Sequence, residues 1–169
     1  FETTTPMTAA LIKQVINNKI PNILFHINHV TIPEAMLELI DSNDVQVNSY
    51  DSQINAFIGP AHVSVISGSK TYEIFPTKYN IPVVVAGFEP MDVMQAILML
   101  IKQFNEKRCD LEVQYTRSVS YEGNTNAQNL INTYFEKKET FKFRGLGRVR
   151  KSALRLKDEF KYLDAEVIY

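Results

Sequence analysis

A chain of 169 residues with 45% hydrophobic and 22% charged content has material for one sizeable core or for parts of two small domains. A formal net charge of -1 argues against general electrostatic attraction to nucleic acid or to an acidic membrane. One cysteine, Cys109, excludes an internal disulfide and cannot alone hold a zinc or iron–sulfur site, and the apolar run around Val93–Ile101 is far short of a membrane span.

In chain order, strand-like runs are expected at Asn22–Ile27, Ile54–Ile58, Pro82–Ala86 and Asp110–Tyr115. The first three are apolar rather than alternating, as parallel strands covered on both faces would be. Helices are expected between them. Thr8–Ile16 places Ala9, Ile12 and Ile16 on one face. Thr31-Ile-Pro-Glu34 reads as a capping box opening a helix through Ile40. Val93–Phe104 is apolar nearly all round, which predicts a well-buried helix. Asn124–Phe135 carries Ala127, Leu130, Ile131, Tyr134 and Phe135 at helical spacing, with Asn124 or Thr125 as cap. Strands alternating with helices define an α/β class with a parallel sheet. The rest is different in character: Phe141–Gly147 suggests a short strand with a glycine turn, and Leu154–Leu163 is an amphipathic stretch rich in lysine and arginine.

One pattern occurs twice. Phe1-Glu2 leads through Pro6-Met7 into Leu11-Ile-Lys-Gln14, and Phe88-Glu89-Pro90-Met91 leads into Leu100-Ile-Lys-Gln103. Two short gaps are needed for the alignment, which suggests two related halves. The chain starts at Phe1, inside the motif, and so reads as a fragment of a larger protein or as a trimmed chain.

Pro6, Pro60 and Pro90 each stand between a strand-like run, or its presumed end, and a helical pattern. Proline suits the first helical position, and the helix it opens directs free N–H groups back towards the strand end. Such strand ends are where open α/β sheets bind ligands. Glu2, Thr3, Thr4, His62, Ser64, Glu89 and Asp92 are therefore the candidate lining of one edge. Helix capping by the small polar residues and solvated glutamates is the plainer reading, at even weight.

His62 is the best candidate for proton transfer or metal contact, because imidazole titrates near neutrality. A capped or hydrogen-bonded structural role is the commoner fate of a lone histidine. His26 and His29 would point to opposite faces of a continuing strand, which disfavours a paired metal site. Glu89 is a possible general base or simply a good complement to a helix dipole. Arg117, in the polar stretch Tyr115–Asn124, is a candidate for anion or partner contact, with a surface salt bridge as the plainer alternative. Gly145-Leu-Gly147 is too little for a dinucleotide fingerprint, and the sequence holds no phosphate loop, nucleophile elbow or C-x-x-C.

Taken in order, Phe1-Glu-Thr-Thr-Thr-Pro6, Phe57-Ile-Gly-Pro-Ala-His-Val-Ser64, Ile81–Asp92, Gln114-Tyr-Thr-Arg-Ser-Val119 with Glu122-Gly-Asn124, Arg144-Gly-Leu-Gly147 and Asp164-Ala165 resemble the middle of the HypD family. These are the proteins that mature [NiFe]-hydrogenases. The resemblance implies Rossmann-like parallel sheets with flanking helices in two related lobes. Residues 1–50 would belong to the first lobe and 51–140 to the second. Residues 141–169 would lead back towards the first lobe or to a further C-terminal cluster domain.

It also implies a cytoplasmic scaffold rather than a self-contained enzyme. The scaffold would pair with HypC, receive cyanide through HypE, and hold iron while the Fe(CN)2CO group is assembled for the hydrogenase large subunit. Neither nucleic acid nor membrane would be a partner. The family implies iron and a [4Fe-4S] cluster in the whole protein, while this stretch would bind no cofactor and no metal alone. Glu2, Thr3, Thr4, His62, Ser64, Glu89 and Asp92 would line the assembly cleft, and Arg117 and Asn124 would contact a partner or anion. Two departures stand out: Ala61 replaces the family's glycine, and Val149–Leu154 lacks the expected glycine-serine-glycine turn. The alternative is an α/β binding domain or transferase using His62 and Glu89 as acid and base.

Overall fold

The computed structural model describes residues 2–41 and 54–169, with only the backbone at Asp41. The chain divides into two compact units, one formed by residues up to Ser42 together with Asn126–Tyr169, the other by Asn43–Thr125.

The second unit carries a three-stranded parallel sheet. Its strands are β1 (Phe57–Pro60), β2 (Val83–Ala86) and β3 (Leu111–Val113), in that spatial order. Phe57 pairs with Val83 and Val83 with Leu111, so the carboxyl ends align. Two more helices of this unit are α3 (Ala61–Ser67) and α4 (Ile74–Tyr79), and α5 (Pro90–Asn105) follows β2. Val83, Val84 and Val85 are fully buried in the central strand. Full burial of such a side chain stabilises by roughly 1.5–3 kcal/mol relative to exposure. Val84 and Ala86 pack on Ala96 and Leu100 of α5. Alternation turns Val83 and Val85 the other way, to the side where Tyr72 and Phe75 are buried.

Burial corrects the expectation for α5. Only Asp92, Ala96, Leu100 and Gln103 are buried, whereas Met91, Met94, Leu98, Ile101 and Phe104 are exposed. A narrow stripe at i, i+4 spacing is all that the small sheet can cover. The sequence echo also fails to coincide in packing: Ile12 is fully buried, while Ile101, its partner in the second Leu-Ile-Lys-Gln, is half exposed.

In the first unit, α1 (Thr5–Asn17) has Pro6 in its first turn and buries Ala9, Ile12 and Val15. These side chains pack with Tyr134 of α6 (Thr125–Tyr134), Phe135 of β4 (Phe135–Lys137), Leu154 and Leu156 of β7 (Leu154–Leu156), and Leu163. β4 and β7 pair antiparallel, as do β5 (Thr140–Phe143) and β6 (Gly147–Arg150). The hairpin turn places Gly145 at φ +87°, which a side chain would resist.

Asn22–Ile27 is not a strand. Phe25 makes an isolated bridge to Asp164, and Ile23 and Leu24 stay exposed, because no neighbouring strand among the described residues runs beside the segment. The helix after Thr31 is present as α2 (Ile32–Asp41), but its start is not a reciprocal capping box. Thr31 N–H donates to Ser152 O, Ile32 N–H donates to the Glu2 carboxylate, and Glu34 pairs with Lys137. Tertiary partners have taken over the local capping roles.

Candidate functional site

The carboxyl ends of β1, β2 and β3 lie side by side, and each leads into a segment bearing polar or aromatic groups. After β1, Pro60 stands at the N-cap of α3 and His62 lies one residue inside that helix. After β2, Gly87-Phe88-Glu89 leads into Pro90 at the start of α5. After β3 come Gln114, Tyr115 and Arg117.

Stacked rings connect these segments. The His62 ring stacks on Phe88 at 4.7 Å between centroids with a 23° interplanar angle, and lies 5.7 Å from Tyr115. The Arg117 guanidinium covers the Tyr115 ring at 3.6 Å. The result is a run Phe88–His62–Tyr115–Arg117 across all three strand ends. Phe88 and His62 are exposed, with one face of the imidazole against the Phe88 ring. Cation–π attraction holds Arg117 against the ring.

Asp92 anchors the arrangement from the first turn of α5. Although buried, its carboxylate accepts from Arg117 Nη1 at 3.3 Å and Nη2 at 3.1 Å, and from Gln114 Nε2 at 2.9 Å. The Arg117 guanidinium is the main reason the Asp92 carboxyl is held well below the usual carboxylate range, with Glu89 and Gln114 adding to it. Reciprocally, Asp92 raises the already high pKa of Arg117. Gln114 completes the mesh by donating to Gln95 and accepting from the Gly87 N–H. Gly87 is confined by these same groups. A Cβ there would overlap Asp92 Oδ2 and lie 2.7 Å from both Glu89 Oε2 and Tyr115 Cε2.

The sequence candidates are distributed as follows. His62, Glu89 and Asp92 come together at this edge with Arg117. The Glu89 carboxylate is 3.8 Å from Arg117 Nη2, and its side chain is largely exposed. Ser64 belongs to the same unit, but it is fully buried and its hydroxyl donates to Pro60 O at 2.7 Å. Asn124 is exposed, with its backbone N–H donating to Ile66 O. Glu2, Thr3 and Thr4 form a single 3-10 turn in the other unit. Thr3 and Thr4 are exposed there. Glu2 is pushed up to about 7, chiefly by desolvation, while accepting from Ile32 N–H at 3.1 Å.

Sequence reading singled out neither Phe88, Tyr115, Gln114 nor Gly87 as a site residue. The available signal was position: Gly87 and Phe88 directly follow the predicted strand Pro82–Ala86, and Gln114 and Tyr115 close the predicted strand Asp110–Tyr115, which in the structure ends at Val113.

His26 and His29 go to different partners. His29 is buried, with Nε2 3.0 Å from Thr8 Oγ1 and its ring edge-on to Phe135, whereas His26 is exposed and 3.5 Å from Glu166. Among the described residues, no group of three or more histidine, cysteine or acidic side chains is placed to hold a metal ion. No described helix is long and apolar enough to cross a membrane.

These features define an α/β domain whose candidate site is built at the carboxyl ends of parallel strands. Residues 1–169 match the HypD family, described as "Hydrogenase formation hypA family". The chain is 46% identical over 167 residues to hydrogenase maturation factor HypD2 of Bradyrhizobium diazoefficiens, covering 99% of this chain and 44% of that protein. It is 45% identical to HypD of Azotobacter vinelandii over 98% of this chain and 43% of that protein, and 46% identical to HypD of Rhizobium leguminosarum over the same shares. The chain belongs to the HypD family of hydrogenase maturation factors. It spans a little under half the length of these relatives.

Proposed function

We propose that this chain forms part of a HypD-type scaffold on which the Fe(CN)2CO group of a [NiFe]-hydrogenase is assembled, and that the Phe88–His62–Tyr115–Arg117 run is a wall of the assembly site. The supporting observation is that an exposed imidazole is fixed by aromatic stacking at strand ends, beside a guanidinium tied down by Asp92. His62 would donate a hydrogen bond to, or exchange a proton with, a small ligand or its donor at the open ring edge. Asp92, Gln114 and Gly87 would fix Arg117 and Tyr115 in place rather than touch the ligand.

Iron is cargo in this reading, held mainly by groups outside the residues described. Glu2, Thr3 and Thr4 belong to the other unit, and Arg117 and Asn124 would meet a partner. HypC-like and HypE-like maturation proteins would dock in the cytoplasm, with the hydrogenase large subunit receiving the product.

The test is complementation. In cells that mature a [NiFe]-hydrogenase with this protein, H62A should leave the hydrogenase inactive and its large subunit without iron, while H62A protein accumulates normally. Full hydrogenase activity with H62A would overturn the assignment of this wall.

A further inference from the structure

The β5–β6 hairpin of the first unit carries a charge arrangement that neither the fold nor the sheet-edge site explains. Five of the ten residues 142–151 are basic and none is acidic: Lys142, Arg144, Arg148, Arg150 and Lys151. All five are exposed. The hairpin register sets Lys142 directly opposite Arg148 and Thr140 opposite Arg150. Side-chain alternation therefore gathers Lys142, Arg148 and Arg150 on one face, with Phe141, Phe143 and the fully buried Val149 on the other. Like charges directly opposite one another destabilise a β pair.

Neighbouring basic residues show what ordinary neutralisation looks like here. Lys137 pairs with Glu34, Lys138 with Glu166, and Arg155 with Glu136 and Asp158. The five hairpin side chains have no such acidic partner among the described residues. Glu139, the nearest acid in sequence, sits at the open end of the hairpin, where its carbonyl accepts from Lys151 N–H.

We infer that the Lys142–Arg148–Arg150 face of this hairpin is a docking surface for a carboxylate-rich face of a partner protein. Guanidinium forks suit carboxylates, which two arginines two residues apart on one strand would engage in register. Nucleic acid is the weaker fit. The hairpin's aromatic rings lie on the opposite, partly buried face, so the cationic face has no stacking platform, and the whole chain carries a net charge of -1. This inference concerns the first unit and does not rest on the role proposed for His62.

Poly-L-glutamate serves as the probe, with poly(U) RNA and duplex DNA as competitors, against the full chain at increasing salt. We expect poly-L-glutamate to bind more tightly than either nucleic acid, with affinity falling as salt rises. R148E/R150E should weaken it at least tenfold, whereas K13E/K19E, an equal charge change on and just after α1, should change it less than twofold. K142E alone should weaken binding yet raise the melting temperature, because it replaces a like-charge pair by an opposite one. H62A should bind as wild type, so failure of the sheet-edge proposal would show separately. Undetectable binding, equal losses in both double variants, or tighter binding of either nucleic acid would overturn the inference.

Discussion

Glu2 and Glu89 each follow a phenylalanine and precede a proline-started helix, yet their surroundings differ. Glu2 accepts from Ile32 N–H, and desolvation pushes its carboxyl up to about 7. Glu89 is exposed and faces the Arg117 guanidinium at 3.8 Å. A shared local motif thus yields a desolvated carboxyl in one unit and an exposed one in the other. The neighbours make the difference: α2 closes over Glu2, whereas the acid that is buried after Glu89 is Asp92, with a guanidinium to compensate it.

Variants can break or sharpen this contrast. The largest effect is expected from G87A, because the new methyl has no room beside Asp92, Glu89 and Tyr115. Overpacking of this kind costs about 3 kcal/mol. Hydrogen exchange of peptides spanning Val83–Gln95 should speed up while those spanning Thr5–Asn17 stay protected.

E2Q comes next. A carboxyl raised from 4.5 to about 7 contributes stability that is complete below pH 4.5 and lost as pH rises through 7. The glutamine variant should abolish that pH dependence and stabilise the first unit above pH 7 by about 2 kcal/mol, after allowing for partial exposure. Urea denaturation at pH 4 and pH 8 measures this; parallel behaviour of variant and wild type would count against a desolvated Glu2.

D92N works with the opposite sign. A depressed carboxyl contributes stability that is present above the ordinary carboxylate range and lost as pH falls below it. The variant should lower the melting temperature by a few degrees at pH 7, release Arg117 from its fork, and lose the acid-side pH dependence. The smallest effect belongs to E89Q, expected within about 0.5 kcal/mol of wild type as for other exposed positions. An E89Q effect as large as that of E2Q would erase the contrast between the two motifs.

Legibility followed the range of the interactions. Val83–Ala86 and the Pro90 helix start could be read directly, because apolar β-branched runs and N-terminal prolines act locally. The same holds for α1 around Ala9 and Ile12. Asn22–Ile27 misled because an apolar run makes a strand only when a neighbour accepts its ladder. Helix α5 misled because hydrophobicity says what is worth burying and leaves open whether enough surface exists to bury it. At the site, His62 and Asp92 were visible by residue type and position. The Phe88, Tyr115 and Gln114 contacts were not, since they depend on three strands ending at one level.

By itself, then, the sequence determined the α/β class, the parallel strands at Val83 and Leu111, the proline-started helices and the family motifs. Those depend on residue type, short-range sterics and periodicity. Only the tertiary structure decided that Asp92 is held by Arg117 and Gln114, and that the Ile32 N–H donates to the Glu2 carboxylate. It likewise decided the hairpin register that sets Lys142 opposite Arg148. The Asp92 and Glu2 contacts depend on which distant segments are brought within a few ångströms, and charge and hydrogen-bond energies change steeply over that distance.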